Sequence, residues 1–157
     1  LMAGYFRDEE ATAECMKDGW LDTGDMGYLS NSYLYIVGRA KDMIIINGKN
    51  HWPQDIEWAV EQLPGFKQGD IAAFAITTAG GEETPAVLVH CRTSDTAERA
   101  KLREQIRDRV RAITGMNCVV ELVPPRTLPR TSSGKLSRSK ARKLYLEGEI
   151  VPYDIAA

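Results

Sequence analysis

Residues 38–57 read GRAKDMIIINGKNHWPQDIE, and the order of residue types along them sets the architecture of most of the chain. The polar linker Arg39-Ala40-Lys41-Asp42 gives way to a β-prone apolar run, which closes on Asn47-Gly48, a strong hairpin signal. Residues KNHW then return as a second strand. Pro53 suits the first position of a helix, where its missing N–H loses no bond. Asp55 and Glu57 follow in the first turn, where the helix dipole favours carboxylates. Ile56, Ala59, Val60 and Leu63 recur at i, i+3, i+4 and i+7, so the helix has one apolar face, and Pro64-Gly65 stops it.

Working downstream, DIAAFAI and AVLVHC are apolar runs of strand length separated by the turn-rich TTAGGEETP, and they are expected to pair as buried antiparallel strands. A long helix is predicted from Thr96 to Thr114. Asp95 and Glu98 resemble a capping box, Leu102, Ile106, Val110 and Ile113 form its stripe, and Gly115 ends it. CVVELV reads as a third strand. After Pro124-Pro125 comes the loop LPRTSSGK, and SRSKARKLYLEG makes a final basic helix closed by Gly148. The expected fold is α+β: a small mixed sheet, a hairpin plus about three strands, covered by about three helices.

Upstream, residues 1–40 are short on helix periodicity and rich in Gly, Asp and Tyr, with YLSNSYLYIV reading as a hairpin around Ser30-Asn31-Ser32. Hairpins of this length make a poor core alone, so they read as the trailing edge of another domain. The opening LMAGYFRDEEATAEC, without an initiator methionine or an apolar leader, points the same way, to a cut from a longer chain.

The composition excludes several classes. No apolar run is long enough to span a bilayer. Cys15, Cys91 and Cys118 are odd in number and widely spaced, which fits reduced thiols in the cytoplasm better than a disulfide framework or a zinc site. With His51 and His90 the only histidines, no histidine-centred metal site is expected. A net charge of −2 argues against nucleic acid as a partner. The charge is uneven, however. From residue 126 to 146 there are basic residues and no acidic one: Arg126, Arg130, Lys135, Arg138, Lys140, Arg142 and Lys143.

That segment contains LPRTSSGKLSR, residues 128–138. It is not a nucleotide P-loop, which would need glycine at 129 and a hydroxyl residue after Lys135, where Pro129 and Leu136 stand. What remains is a Gly-Lys at a loop tip, able to present one ammonium group. Taken in order, WLDTGDMGYL at 20–29, GRAKDMIIINGKNHWPQDIE at 38–57 and LPRTSSGKLSR at 128–138 resemble the last third of the adenylate-forming superfamily: acyl-CoA synthetases, fatty acyl-AMP ligases, luciferases and nonribosomal-peptide adenylation domains. GYFRDEEATAECMKDGWLDTGD extends the resemblance to nearly the whole chain.

The resemblance implies a division into residues 1–40, the trailing β-rich tail of a large N-terminal adenylation domain, and residues 41–157, the C-terminal lid. It also implies roles. Asp25 in T-G-D would accept hydrogen bonds from ribose hydroxyls. Arg39 in G-R-x-x-D would bind the ribose and phosphate side of the nucleotide. Lys41 and Asp42 would form the hinge that re-aims the lid between half-reactions. Lys135 would be the catalytic lysine, its ammonium bridging substrate carboxylate and α-phosphate as pyrophosphate leaves. Gly48 would border the pantetheine channel, where a Cβ would narrow the passage. The implied cofactors are ATP and Mg2+, held mainly by the N-terminal domain, with no metal site in this chain.

The GRAKDMIIINGKNHWPQDIE string looks most like the fatty acyl-AMP ligase branch. Many CoA ligases carry arginine two residues after the hairpin glycine. Asn50 stands there, removing a phosphate-binding fork. The resemblance thus implies activation of a fatty acid to acyl-AMP and transfer of the acyl group to the phosphopantetheine thiol of an acyl carrier protein. Its alternatives are an acyl-CoA synthetase, an amino-acid adenylation domain, or a catalytically silent module that binds adenylate or a partner.

Overall fold

The computed structural model describes residues 2–46 and 48–154, which divide after Lys41 into two compact units. Asn47, expected to share the hairpin turn with Gly48, lies outside the described residues.

The first unit opens with a short helix, α1 (Glu9–Cys15), that the sequence reading did not anticipate. It buries no residue, so no apolar period marks it. Its signal is local: Asp8 caps it by accepting from the Ala11 N–H at 2.9 Å, and Glu9 and Glu10 occupy the first turn. Strands β1 (Met16–Lys17) and β2 (Trp20–Leu21) form a minimal antiparallel pair. Strands β3 (Asp25–Ser30) and β4 (Tyr33–Arg39) make the expected hairpin, turning at Asn31 and Ser32, both at positive φ as a two-residue connection demands. Tyr28 and Tyr35 face each other across that ladder with rings stacked at 5.1 Å.

In the second unit, β5 (Ile44–Ile46) and β6 (Lys49–His51) form the hairpin read from the sequence, closed on itself as a separate two-stranded ladder. Helix α2 (Pro53–Glu61) follows with proline in its first turn. Strands β7 (Ile71–Thr77), β8 (Glu83–His90) and β9 (Val119–Val123) build a mixed sheet in that order, β7 antiparallel and β9 parallel to β8. Helix α3 (Thr96–Thr114) makes the crossover that a parallel pair requires, and α4 (Arg138–Leu146) follows the last loop.

The sheet is covered on both faces, which is why its strands read as continuous apolar runs. Ile71, Ala73, Val87, Val89, Val120 and Leu122 pack with Ile44, Ile46, α2 and α3. Their alternates Ala72, Phe74, Ile76, Ala86 and Leu88 pack with Leu128, α4 and Ile150. Burying one leucine such as Leu122 contributes about 1.5–3 kcal/mol.

The boundaries of α3 match the sequence reading, but its cap is a relay. Asp95 accepts from the Glu98 N–H at 2.8 Å, while the Glu98 carboxylate accepts from Thr93 Oγ1 at 2.6 Å and Thr93 Oγ1 accepts from the Asp95 N–H. Ile106 and Val110 are fully buried, whereas Ile113, placed in the stripe by periodicity, is nearly half exposed. Buried Arg99 forks onto Asp154 and lies over the Tyr153 ring at 4.9 Å, fastening the segment after α4 along α3. The two arginines on it, Arg99 first and then Arg103, hold the Asp154 carboxyl down at about 2. Among the described residues no helix is long and apolar enough to cross a membrane.

Candidate functional site

In the first unit, the register of the β3–β4 hairpin sets Asp25 directly opposite Arg39. A shift between Met26 and Gly27 accommodates one extra residue and leaves the pair aligned at the open end of the ladder. Arg39 Nε lies 3.4 Å from Asp25 Oδ1, and the two side chains are 68% and 35% exposed. The structure thus brings together two residues expected at the nucleotide, as a carboxylate acceptor and a guanidinium donor facing solvent. Lys41 and Asp42 lie in the 3-10 turn Ala40–Asp42, at the division between the units.

In the second unit, Lys135 is carried by a small, internally bonded hairpin. Arg130 pairs with Leu136, the Thr131 N–H donates to the Lys135 carbonyl at 2.8 Å, and the Gly134 N–H returns to the Thr131 carbonyl at 2.9 Å. Gly134 takes φ +81°, the left-handed conformation that lets so tight a turn close. The apex is therefore Ser132-Ser133, and Lys135 stands on the returning limb. It is exposed, and within residues 42–154 its ammonium makes no ion pair.

Three side chains anchor this hairpin to the body of the unit. Arg130 donates to the Gly134 carbonyl at 2.9 Å and to the Gly69 carbonyl at 3.1 Å. Buried His90 accepts the Leu128 N–H through Nε2 at 3.2 Å while Nδ1 faces Asp70 at 3.4 Å, which assigns a neutral ring with its proton on Nδ1. Arg138, at the start of α4, forks onto Glu57 of α2 with both contacts at 2.6 Å. The sequence reading placed Glu57 in the first turn as a dipole partner. It is 6% exposed, accepting also from the Ala73 N–H at 3.0 Å. Its position between Ile56 and Val60, on the apolar face, was the signal that this carboxylate needs a buried cation. Burial pushes the Glu57 carboxyl up, opposed by the Arg138 guanidinium.

His90 makes the loop root acid-sensitive. Burial lowers its pKa from the ordinary 6.5, against the opposing pull of Asp70; Arg130 and Arg92 add to the lowering. The unfolded chain therefore takes up this proton more readily than the folded one. The stability this group contributes is full above pH 6.5 and declines as pH falls through the lower folded value. Urea titrations at pH 7.5 and 5.0 are expected to show this loss, and His90→Gln to reduce the difference between the two pH values. Equal pH dependence in the variant would contradict the assignment.

A groove of about 600 Å³ runs beside the hairpin, between Arg130, Ser133 and Lys135 on one side and Glu57, Trp58 and Glu61 on the other. Trp58, 64% exposed, also walls a second groove of about 280 Å³ with Asn50, Trp52 and Ile113. Lys135 and Asn50 therefore belong to separate grooves that share one indole. His51 lines the smaller groove, with Nε2 buried and unpartnered among the described residues. Gly48 takes φ +71° in the β5–β6 turn, and a Cβ built there meets nothing within 4 Å, so within this chain the constraint on Gly48 is its backbone conformation. Among the described residues no group of three or more His, Cys, Asp or Glu side chains stands close enough together to hold a metal ion.

A family profile described as AMP-binding enzyme C-terminal domain matches residues 48–143. A protein of Caulobacter vibrioides with the provisional name acyl-CoA synthetase is 48% identical over 150 residues, covering 94% of this chain and 26% of that protein. The long-chain-fatty-acid–AMP ligase FadD26 of Mycobacterium marinum is 39% identical over 132 residues, 80% of this chain and 22% of the ligase. A solved structure from work on fatty acyl-adenylate ligases of E. coli and L. pneumophila superposes with a TM-score of 0.82 at 44% identity, over 95% of this chain and 26% of that one. The chain thus spans about a quarter of the length of these three proteins.

Proposed function

This chain belongs to the AMP-binding enzyme C-terminal domain family, that of adenylate-forming enzymes, and from that premise we propose that it is the lid of a fatty acyl-AMP ligase. Residues 1–40 belong, in this reading, to the end of a large N-terminal domain that supplies the rest of the site.

The observation that carries the reading is the exposed Lys135 ammonium on a hairpin whose own bonds and three anchors fix the backbone beneath it. Such a lysine can deliver one positive charge to a reacting phosphate without reorganising its support. In the first half-reaction a fatty-acid carboxylate oxygen attacks the α-phosphorus of ATP. The bond to the bridging oxygen breaks, and pyrophosphate leaves with the electron pair. Lys135 would sit between carboxylate and α-phosphate, offsetting the charge that gathers there. Asp25 would accept from the ribose hydroxyls, with Arg39 beside it to hold the carboxylate and meet phosphate. Residues 41 and 42 would then turn the lid. In the second half-reaction a thiol that gives up its proton attacks the acyl carbonyl carbon, the bond from that carbon to the phosphate oxygen breaks, and AMP leaves with the electron pair.

Two observations bear on the thiol. The Caulobacter relative is named for CoA, while the acyl-adenylate ligase relatives are named for the acyl-AMP product alone, with no CoA. The groove beside Asn50 supports the carrier: among the described residues that line it the ionisable ones are His51 and Asp55, with no lysine or arginine that would meet the phosphates of CoA. A carrier protein brings pantetheine without a free nucleotide end, and exposed cations of the basic segment, Arg126, Lys135, Lys140 and Lys143, would suit its acidic surface. The setting in this reading is the cytoplasm, where the free thiols of Cys15, Cys91 and Cys118 stay reduced.

The direct test of activation uses the full-length enzyme with ATP and a series of fatty acids, detecting acyl-AMP by mass. Acyl-AMP is expected from the full-length enzyme and none from residues 1–157 alone, because Asp25, Arg39 and Lys135 supply only one wall of the site. Acyl-AMP formation by the 157-residue chain would refute this division of labour.

A further inference from the structure

Arg138 has more carboxylate around it than charge balance requires. Glu57 alone neutralises it through a two-point fork, yet Asp42 Oδ2 also lies 3.6 Å from its Nη1. The three side chains are largely sheltered, at 22% exposed for Arg138, 8% for Glu57 and 20% for Asp42. One guanidinium therefore joins the first residue of the second unit, helix α2 and, through the Glu57–Ala73 bond, strand β7.

We propose that Arg138 is a positioning residue that aims Lys135 and ties that aim to the backbone at residues 41–42. The proposal rests on the reading of Lys135 as the adenylation lysine and of residues 41–42 as the hinge. A lysine side chain has four rotatable bonds, so the precision of its ammonium comes from the backbone that carries it. That backbone is held on its incoming side by His90 at Leu128 and by Arg130 at Gly69. On its outgoing side Leu136 packs against the core, the Ser137 N–H donates to the Pro129 carbonyl at 3.0 Å, and Arg138, three residues after Lys135, adds the two-point fork. A fork with two parallel N–H···O bonds fixes orientation as well as distance, which a single contact does not. The Asp42 contact is longer than the fork, and its carboxylate is more exposed than that of Glu57. Rotation of the backbone at 41–42 would change it first and leave the Glu57 fork whole. The position of Arg138, and with it the limb bearing Lys135, would then differ slightly between hinge states.

The test uses the full-length enzyme and three readouts: ATP–pyrophosphate exchange for adenylation, acyl transfer from supplied acyl-AMP, and melting temperature. Removing Arg138 alone strands a buried carboxylate and risks unfolding, so the informative variant is Glu57→Gln with Arg138→Met. It removes both charges and keeps an acceptor for the Ala73 N–H. This double variant is expected to lower adenylation kcat by about ten- to a hundredfold, the scale of a small misplacement of a reacting group. KM for ATP and the transfer rate should each stay within about threefold, since the aim of Lys135 matters in one transition state only. Arg138→Lys, which keeps charge but not the fork, should fall between. Asp42→Asn should shift the ratio of adenylation to transfer by at least about threefold at unchanged melting temperature.

Unchanged adenylation kcat in the double variant, or a parallel fall of both half-reactions with the melting temperature, would overturn the proposal. An unchanged ratio in Asp42→Asn would overturn the link to the hinge. Lys135→Ala run alongside separates the two failures. If it abolishes adenylation while the double variant does not, only the positioning role falls. If it leaves adenylation intact, the assignment of Lys135 falls and the positioning role with it.

Discussion

Lys135→Ala in the full-length enzyme is expected to slow acyl-adenylate formation by about a hundredfold or more, the scale of removing one preorganised charge donor from a reacting oxyanion. Acyl transfer from supplied acyl-AMP should persist, because in the proposed mechanism the turn of the lid would carry the lysine away before the thiol attacks. The expectation comes from the local structure. The hairpin is closed by backbone bonds from Thr131 and Gly134, and its anchors are Arg130, His90 and Arg138. None of these involves the Lys135 side chain, so the substitution removes an ammonium without disturbing what holds it. The melting temperature should be unchanged. Equal loss of both half-reactions would contradict the two-conformation reading.

The largest expected effect on stability is at Glu57. Glu57→Ala leaves the Arg138 guanidinium sheltered with only the longer Asp42 contact, and leaves the Ala73 N–H without its acceptor. Removing one partner of a buried pair costs about 3–5 kcal/mol. Glu57→Gln keeps an acceptor for Ala73 and should cost less. The contrast is the exposed pair of Lys143 and Glu147, 3.9 Å apart and 71% and 47% exposed, whose removal should cost about 0–1 kcal/mol. Urea unfolding of the three variants orders them. A Glu57→Ala loss as small as that of Lys143→Ala would show that the fork is not a structural tie.

Much of the second unit was legible because its signals are local. Pro53 at the start of α2, Gly115 after α3 and the run lengths of β7 and β8 each carry their own physical reason. A mixed sheet was expected, but which strand β9 pairs with and in what register were not legible, since pairing between strands some thirty residues apart depends on where α3 delivers the chain. Ile113 kept the helical period but lies in the last turn of α3, nearly half exposed at the wall of the smaller groove. Glu57 was misread because the first-turn position and the apolar face coincide there, and burial won. In the site, Asp25 and Arg39 entered through a resemblance. The hairpin register that aligns them, including the shift at Met26 and Gly27, follows from how β3 and β4 pair, which no single motif encodes. His90 lay inside an apolar run, and only the loop brought back to it by the fold gives it a task.

The most direct measurement of the central claim is a competition for the acyl group. Full-length enzyme is given acyl-AMP together with CoA and a holo acyl carrier protein, and the two thioesters are counted over time. The account predicts that the carrier is loaded much faster than CoA is acylated, and that Asn50→Arg alone does not reverse the preference, since the N-terminal domain would contribute most of the exclusion. Acyl-CoA formed at a rate comparable to carrier loading would contradict the acyl-AMP ligase assignment and make this chain the lid of an acyl-CoA synthetase.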